Sequence, residues 1–215
     1  MRASALLIGL ALGMGACGSE PTPTPSVACP TEPPTSVSAQ ATLQDAAVAT
    51  VTVSGAVDGE FAFDLYGDAA PIATANFVAL ARCGFYDGIK FHRVLSGFVI
   101  QAGDPGTKTN EGDFQGLGAG GAGYEYEIEP PAQDLGYDPY SVSVANDTRT
   151  NDSQFFIALA DLNGGLERLY TIFGQVTSGT DVIDAIAAVP VNDPRMGLPL
   201  DPVTIDSIII SGSAE

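Results

Sequence analysis

Phe91-His92-Arg93-Val94-Leu95-Ser96-Gly97-Phe98-Val99-Ile100-Gln101-Ala102-Gly103-Asp104-Pro105 brings a cation, aromatic rings, an amide and paired glycine turns into one short run. Phe98, Val99 and Ile100 form an apolar stretch bounded by Ser96-Gly97 and by Gly103-Asp104-Pro105, which predicts a strand punctuated by turns. Arg93 and Gln101 flank that apolar floor. Such a floor supplies contact area while a few polar groups at its rim supply orientation, which suits a small, mostly hydrocarbon ligand that carries a carbonyl. A proline residue within a peptide has that character.

Outward from this run the patterning is mainly that of strands. Ala49, Val51 and Val53 alternate on one side of Asp58-Gly59, and Phe61, Phe63 and Leu65 alternate on the other, which predicts a β-hairpin with one buried face. Pro71 follows Asp68 at a helix-start position, and Ala73, Phe77, Leu80 and Ala81 recur at helical spacing until Gly84. Downstream, Gly106 to about Asp138 is rich in glycine and acidic residues and reads as a surface loop. Val142 to Ala145, Phe155 to Leu159, Tyr170 to Val176 and Val203 to Ile210 are further short apolar or alternating segments. Before the last of these, Asp181 is placed to cap a helix with Val182, Ile186 and Val189 on one face and Pro190 at its end. Pattern alone supports a mainly β domain with two helices.

The first part of the chain has a different composition. Residues 1–16 hold a single cation, Arg2, then an apolar run that closes on small residues, the pattern of an export signal too short to span a bilayer. Leu12-Gly13-Met14-Gly15-Ala16-Cys17 resembles a bacterial lipoprotein cleavage site with Met14 at the usual leucine position, so Cys17 is expected to become the lipidated first residue. An ordinary secretory signal with an incidental Cys17 is the alternative. Residues 17–43 include Pro21-Thr22-Pro23-Thr24-Pro25 and are expected to be a disordered tether, with the folded domain over 44–212. The protein is thus expected in the bacterial cell envelope, exported and membrane-anchored, as a monomer. Its net charge of −18 makes nucleic acid and anionic headgroups poor partners, so membrane contact should come through the N-terminal lipid only. Cys29 and Cys83 would meet an oxidising compartment; they either pair or remain two thiols, which sequence cannot decide.

Three alternative chemistries fail on context. Gly118-Ala119-Gly120-Gly121-Ala122-Gly123 satisfies G-x-G-x-x-G, but no helix follows, since Tyr124 to Glu129 alternates and then meets Pro130-Pro131; dinucleotide binding is rejected in favour of a glycine loop. His92 is the sole histidine, and neither Ser96 nor Ser153 sits in a nucleophile-elbow sequence, so a hydrolytic triad is excluded. One histidine with scattered carboxylates also gives no metal-ligand spacing.

The opening run closely resembles the signature of the cyclophilin family of peptidyl-prolyl isomerases. Ser153-Gln154-Phe155-Phe156-Ile157 matches that family's second hallmark, and Gly84-Phe85-Tyr86-Asp87-Gly88, Val144-Ala145-Asn146 and Tyr170-Thr171-Ile172-Phe173-Gly174 extend the resemblance from about Ala47 to Ile210. It implies an all-β fold, a closed eight-stranded antiparallel barrel capped by two α-helices, and isomerisation of X-Pro bonds in proline-containing polypeptides with no cofactor and no metal. Carried over residue by residue, Arg93 is the donor that favours the twisted amide, and Phe98, Val99, Phe156 and Phe173 hold the proline ring. Gln101 and the Asn146 backbone grip the chain on either side, Ala145 lines the neighbouring groove, and His92 helps to organise the site. The chain departs from the family in having no tryptophan; residues 162–168 offer only leucines where the family often has an aromatic ring, which implies weak binding of cyclosporin-type inhibitors. The competing reading is a cyclophilin-like module that binds proline peptides without turnover, and a third is a purely structural envelope lipoprotein.

Overall fold

The hairpin predicted at Asp58-Gly59 anchors the sheet. The computed structural model describes residues 27–109, 118–147 and 149–212. Within them β1 (Val48–Gly55) and β2 (Gly59–Leu65) pair antiparallel, with Val53 opposite Gly59 and Val48 opposite Asp64. Ala49, Val51, Val53, Phe61 and Phe63 are all buried, at every second position, because side chains alternate across a strand. The other strands are β3 (Arg93–Leu95), β4 (Val99–Ala102), β5 (Tyr126–Glu127), β6 (Ser141–Asn146), β7 (Thr150–Ala158), β8 (Ile172–Ser178) and β9 (Val203–Ser211).

They form one antiparallel sheet in the order β3-β4-β7-β6-β8-β2-β1-β9, with the short β5 added to β7. The sheet curls until its ends meet. Lys90 bridges Thr204, the Phe91 N–H donates to the Val203 carbonyl at 2.9 Å, and the Ile205 N–H donates to the Ile89 carbonyl at 2.8 Å. The expected eight-stranded barrel is therefore a curled sheet whose seam is the segment leading into β3 and not a full ladder. Inside it Phe77 packs against Phe63, Phe155 and Phe173 at 5.5, 5.7 and 5.2 Å between ring centroids.

Phe77 belongs to α2 (Pro71–Arg82), the helix predicted from apolar spacing. Its first free N–H groups are not capped by Asp68. The Glu129 carboxylate accepts the Ile72 and Ala73 N–H groups at 3.0 and 2.7 Å, an anion at the positive end of the helix dipole. The second predicted helix, α3 (Thr180–Ala187), begins at Gly179, whose φ is 72°, so Asp181 lies inside the first turn and makes no capping bond. Ile183 and Ile186 are its buried residues; Val182 and Val189 are only half-buried.

The tether expectation needs correction over part of its length. Ser36–Thr42 is a helix, α1, in which Thr35 and Ser38 form a reciprocal capping box, and Ala39 is fully buried against α2. Arg82 donates to the Thr42 carbonyl at 2.7 Å, and Cys29 is disulfide-bonded to Cys83 at the end of α2. A small residue at the contact lets two helices approach closely, Leu43 at the end of α1 lies against Gly67, and the folded unit starts ahead of 44. Residues 1–26, with Cys17 and the predicted signal, lie outside the described residues.

Candidate active site

Two strand registers, one in the β3–β4 hairpin and one in the long-range β4–β7 pairing, create the site. Arg93 on β3 stands opposite Gln101 on β4, and Gln101 stands opposite Phe156 on β7, so these three side chains form a row across adjacent strands. The alternate positions Val94, Ile100 and Ile157 form the parallel row that enters the core. Gly97, with φ of 73°, supplies the tight reversal between β3 and β4. The row opens into a cavity of about 450 Å³. His92, Arg93, Phe98, Val99, Gln101, Ala145, Asn146 and Phe156 all line it.

Phe173 does not. It is 1% exposed and lies among the core rings, in contact with Phe77 and Phe63. The neighbouring aromatic at the pocket is instead Tyr170, whose ring meets Phe156 edge-on at 5.5 Å. Tyr137 braces it: the Tyr170 N–H donates to the Tyr137 hydroxyl at 3.1 Å. Leu166, from the leucine-bearing segment, fills part of the same wall.

Arg93 is held by a chain of amides. Its Nη1 donates to Gln101 Oε1 at 3.3 Å, and its guanidinium carbon stands 5.8 Å from the centre of the Phe98 ring. Gln101 Nε2 donates to Gln154 Oε1 at 2.9 Å, and Gln154 Nε2 donates to the Gly118 and Gly120 carbonyls at 2.9 and 2.8 Å. Those glycines are fixed in turn by Asp104, whose carboxylate accepts the Gly106, Gly118 and Gly120 N–H groups at 2.7, 2.6 and 3.3 Å. Asp104 is 1% exposed, so these donors are what make its burial tolerable. The result is a fixed cation and donor beside an apolar pocket wide enough for a proline ring.

A family model described as cyclophilin type peptidyl-prolyl cis-trans isomerase/CLD matches residues 48–210. The chain belongs to the cyclophilin family. This cyclophilin is 39% identical over 173 residues to peptidyl-prolyl cis-trans isomerase B of Streptomyces anulatus, spanning 71% of this chain and 91% of that one. Its identity to the probable peptidyl-prolyl cis-trans isomerase A of Mycobacterium leprae is 40% over 176 residues, with 71% and 87% covered. It matches only 23% of the length of the peptidyl-prolyl cis-trans isomerase cyp15 of Rhizopus delemar, at 38% identity over 71% of this chain. A crystal structure of a Cryptosporidium parvum cyclophilin-type isomerase superposes with a TM-score of 0.67 at 29% identity, covering 79% of this chain and 99% of that one. A second structure of that protein, in the presence of the dipeptide Ala-Pro, gives 0.66 at the same identity, with 77% and 99% covered.

In this cyclophilin His92 is 7% exposed, and burial pushes its pKa down to about 4, with Arg93 adding to the effect and Asp104 and the Lys90 backbone opposing it. The ring is neutral at physiological pH and serves as a pocket wall. Gly118 lies against it, since a Cβ there would stand 3.5 Å from His92 Nε2. Asp104 and Gln154 are functional supports that the sequence pattern does not mark: Asp104 reads as turn punctuation and Gln154 only as part of a matched stretch. The glycine run, read as a flexible loop, in part carries the carbonyls and N–H groups that tie these two together. Burial of a charged and an amide side chain is a long-range property, and the only local signal was Gln154 standing two residues before Phe156. Among the described residues no three His, Cys, Asp or Glu side chains cluster in a way that could hold a metal ion.

Proposed function

We propose that this cyclophilin accelerates rotation about X-Pro bonds of exported proteins while tethered to a bacterial cell envelope through lipid on Cys17. The observation that carries the catalytic part is the Arg93 guanidinium, held by Gln101 and Phe98 at the edge of an apolar pocket. Rotation about the bond faces a barrier of about 18 to 20 kcal/mol and takes tens to hundreds of seconds unaided. No bond is made or broken, so the enzyme need only bind the twisted amide better than either planar form. Twisting removes resonance and leaves the proline nitrogen pyramidal and basic. A donor already fixed in place interacts more strongly as rotation proceeds, and it needs no reorganisation at that moment. Phe98, Val99 and Phe156 hold the ring while the preceding carbonyl turns, and Gln101, Ala145 and Asn146 line the path of the chain.

The envelope part rests on the apolar leader, its small-residue ending at Cys17 and the proline-rich segment that follows. The Cys29–Cys83 disulfide supports export, because such bonds persist in oxidising compartments. More than one acyl chain at Cys17 would anchor the protein stably, which a single chain does not do.

A protease-coupled proline-peptide assay on the folded protein tests catalysis, and intact-mass analysis of membrane-extracted protein tests the anchor. Turnover together with an N-terminus at Cys17 carrying acyl mass is the expected result. Peptide binding without turnover would leave only the binding-module reading, and soluble protein cleaved elsewhere would overturn the lipid anchor.

A further inference from the structure

The turn between α3 and β9 forms one wall of the pocket, although nothing in its sequence marks it as part of a site. Val191 bridges Pro199, the Asn192 N–H donates to the Leu198 carbonyl at 2.9 Å, and the Met196 and Gly197 N–H groups donate to the Asp193 carbonyl at 3.0 and 2.8 Å. The Asp193 carboxylate accepts from Arg195 Nε and Nη2 at 3.2 and 2.9 Å. This self-braced turn docks on the edge of β3 through the Val94 N–H, which donates to the Gly197 carbonyl at 2.6 Å. Gly197 is buried with φ of 78°, and a Cβ there would meet the Val94 carbonyl and Leu95, so glycine is what allows the turn to lie this close.

Docking leaves Leu198 half-buried and Met196 62% exposed, both on the pocket wall. An unbranched thioether adapts to irregular apolar partners, and here it has area to lose only when something occupies the pocket mouth. A second cavity, of about 270 Å³, shares Gln101, Gly118, Ala145 and Asn146 with the first, whereas Met196 and Leu198 line the first alone. The turn that carries Met196 docks on β3 and Asn146 belongs to β6, on either side of Phe156 in the order β3-β4-β7-β6, so a peptide with its proline on Phe156 has one exit past Asn146 and another past Met196.

We infer that Met196, backed by Leu198, is a specificity-determining residue that selects substrates with a large apolar side chain flanking the proline on the side away from Asn146. The inference rests on the pocket being the isomerase site proposed above. Contact beyond the rotating bond is the same in the planar and twisted states, so it acts as uniform binding and shows in KM, with kcat little changed.

The test uses the full chain and two peptide series, one varying the residue before proline and one the residue after it, each with Leu, Phe or Gly. On one of the two sides the parent should favour Leu and Phe over Gly by about five-fold in kcat/KM, the scale of burying one partly exposed apolar contact. Met196→Ala should bring that ratio close to one and Met196→Leu should restore it. Leu200→Ala, equally exposed on the same turn but outside the pocket, should keep the parental ratio. An active parent with no apolar preference on either side, or a preference that survives Met196→Ala, overturns the inference. A folded parent without turnover on any peptide would instead count against the isomerase reading, and calorimetric Kd values for the same peptides and variants then decide the selectivity.

Discussion

Arg93 and Gln101 face each other across the β3–β4 ladder with Arg93 Nη1 3.3 Å from Gln101 Oε1, so the donor that should act on the twisted amide is held by a backbone register as well as by a hydrogen bond. A side chain fixed before substrate arrives loses little entropy when it acts.

Arg93→Ala should lower kcat/KM on a proline peptide by on the order of a hundred- to a thousand-fold, the scale for removing a preorganised donor. Arg93 is only half-buried, so the variant should melt within a few degrees of the parent. Arg93→Lys should fail almost as badly, because an ammonium lacks the planar fork that serves Gln101 and the substrate together. Most of the activity surviving in folded Arg93→Ala would refute the mechanism.

Gln154→Ala should act at a distance. It leaves the Gly118 and Gly120 carbonyls and Gln101 Nε2 without their partner, so unfolding should become easier by about 1 to 3 kcal/mol and kcat/KM should fall by about ten-fold through loss of Arg93 alignment. Urea unfolding and the coupled assay on one preparation measure both. Unchanged kcat/KM would show that the amide chain does not position the arginine.

His92 should make the fold acid-sensitive. Its pKa falls from the ordinary 6.5 to about 4 in the folded protein, so between those values the unfolded chain binds the extra proton. The stabilisation is complete above about pH 6.5 and is lost as pH falls towards 4, on the order of 3 kcal/mol in all. Asp152, whose carboxyl is pushed up by burial, works in the opposite sense in parent and variant alike. Urea midpoints at pH 7, 5.5 and 4.5 should therefore fall more steeply for the parent than for His92→Gln, and parallel curves would remove His92 as the cause.

Cutting the Cys29–Cys83 link should cost about 4 kcal/mol, the loop-closure entropy for a separation of 54 residues. The Cys29→Ser, Cys83→Ser variant should unfold at lower denaturant and lose protection of 27–43 from proteolysis while retaining kcat/KM, since neither cysteine lines the pocket. Equal protease resistance before and after substitution would show that α1 docks without the bond.

Cyclosporin should inhibit weakly, because Leu166 stands on the wall where the family often has an aromatic ring. Losing one such contact corresponds to about ten- to a hundred-fold in affinity. Leu166→Trp should tighten inhibition; a nanomolar inhibition constant for the parent would show that the ring is dispensable.

Local patterning alone determined the β1–β2 hairpin, α2, the turns around β4 and the mainly β class, because period two and period 3.6 are set by backbone geometry within each element. The matched stretches further placed Arg93, Phe98, Gln101 and Phe156 together. Only the tertiary structure decided which rings face the pocket. β7 is buried almost continuously from Ser153 to Ala158, and Ile172 to Gly174 of β8 are all buried, so alternation there says which residues share a face but not which face is the core. That is why Phe173 belongs to the interior and Tyr170 to the site. The Asp104–Gln154 support, the Gly197 turn on β3 and the Cys29–Cys83 bond likewise join segments tens of residues apart or more, and such pairings arise from the curl of the sheet and from no local sequence pattern.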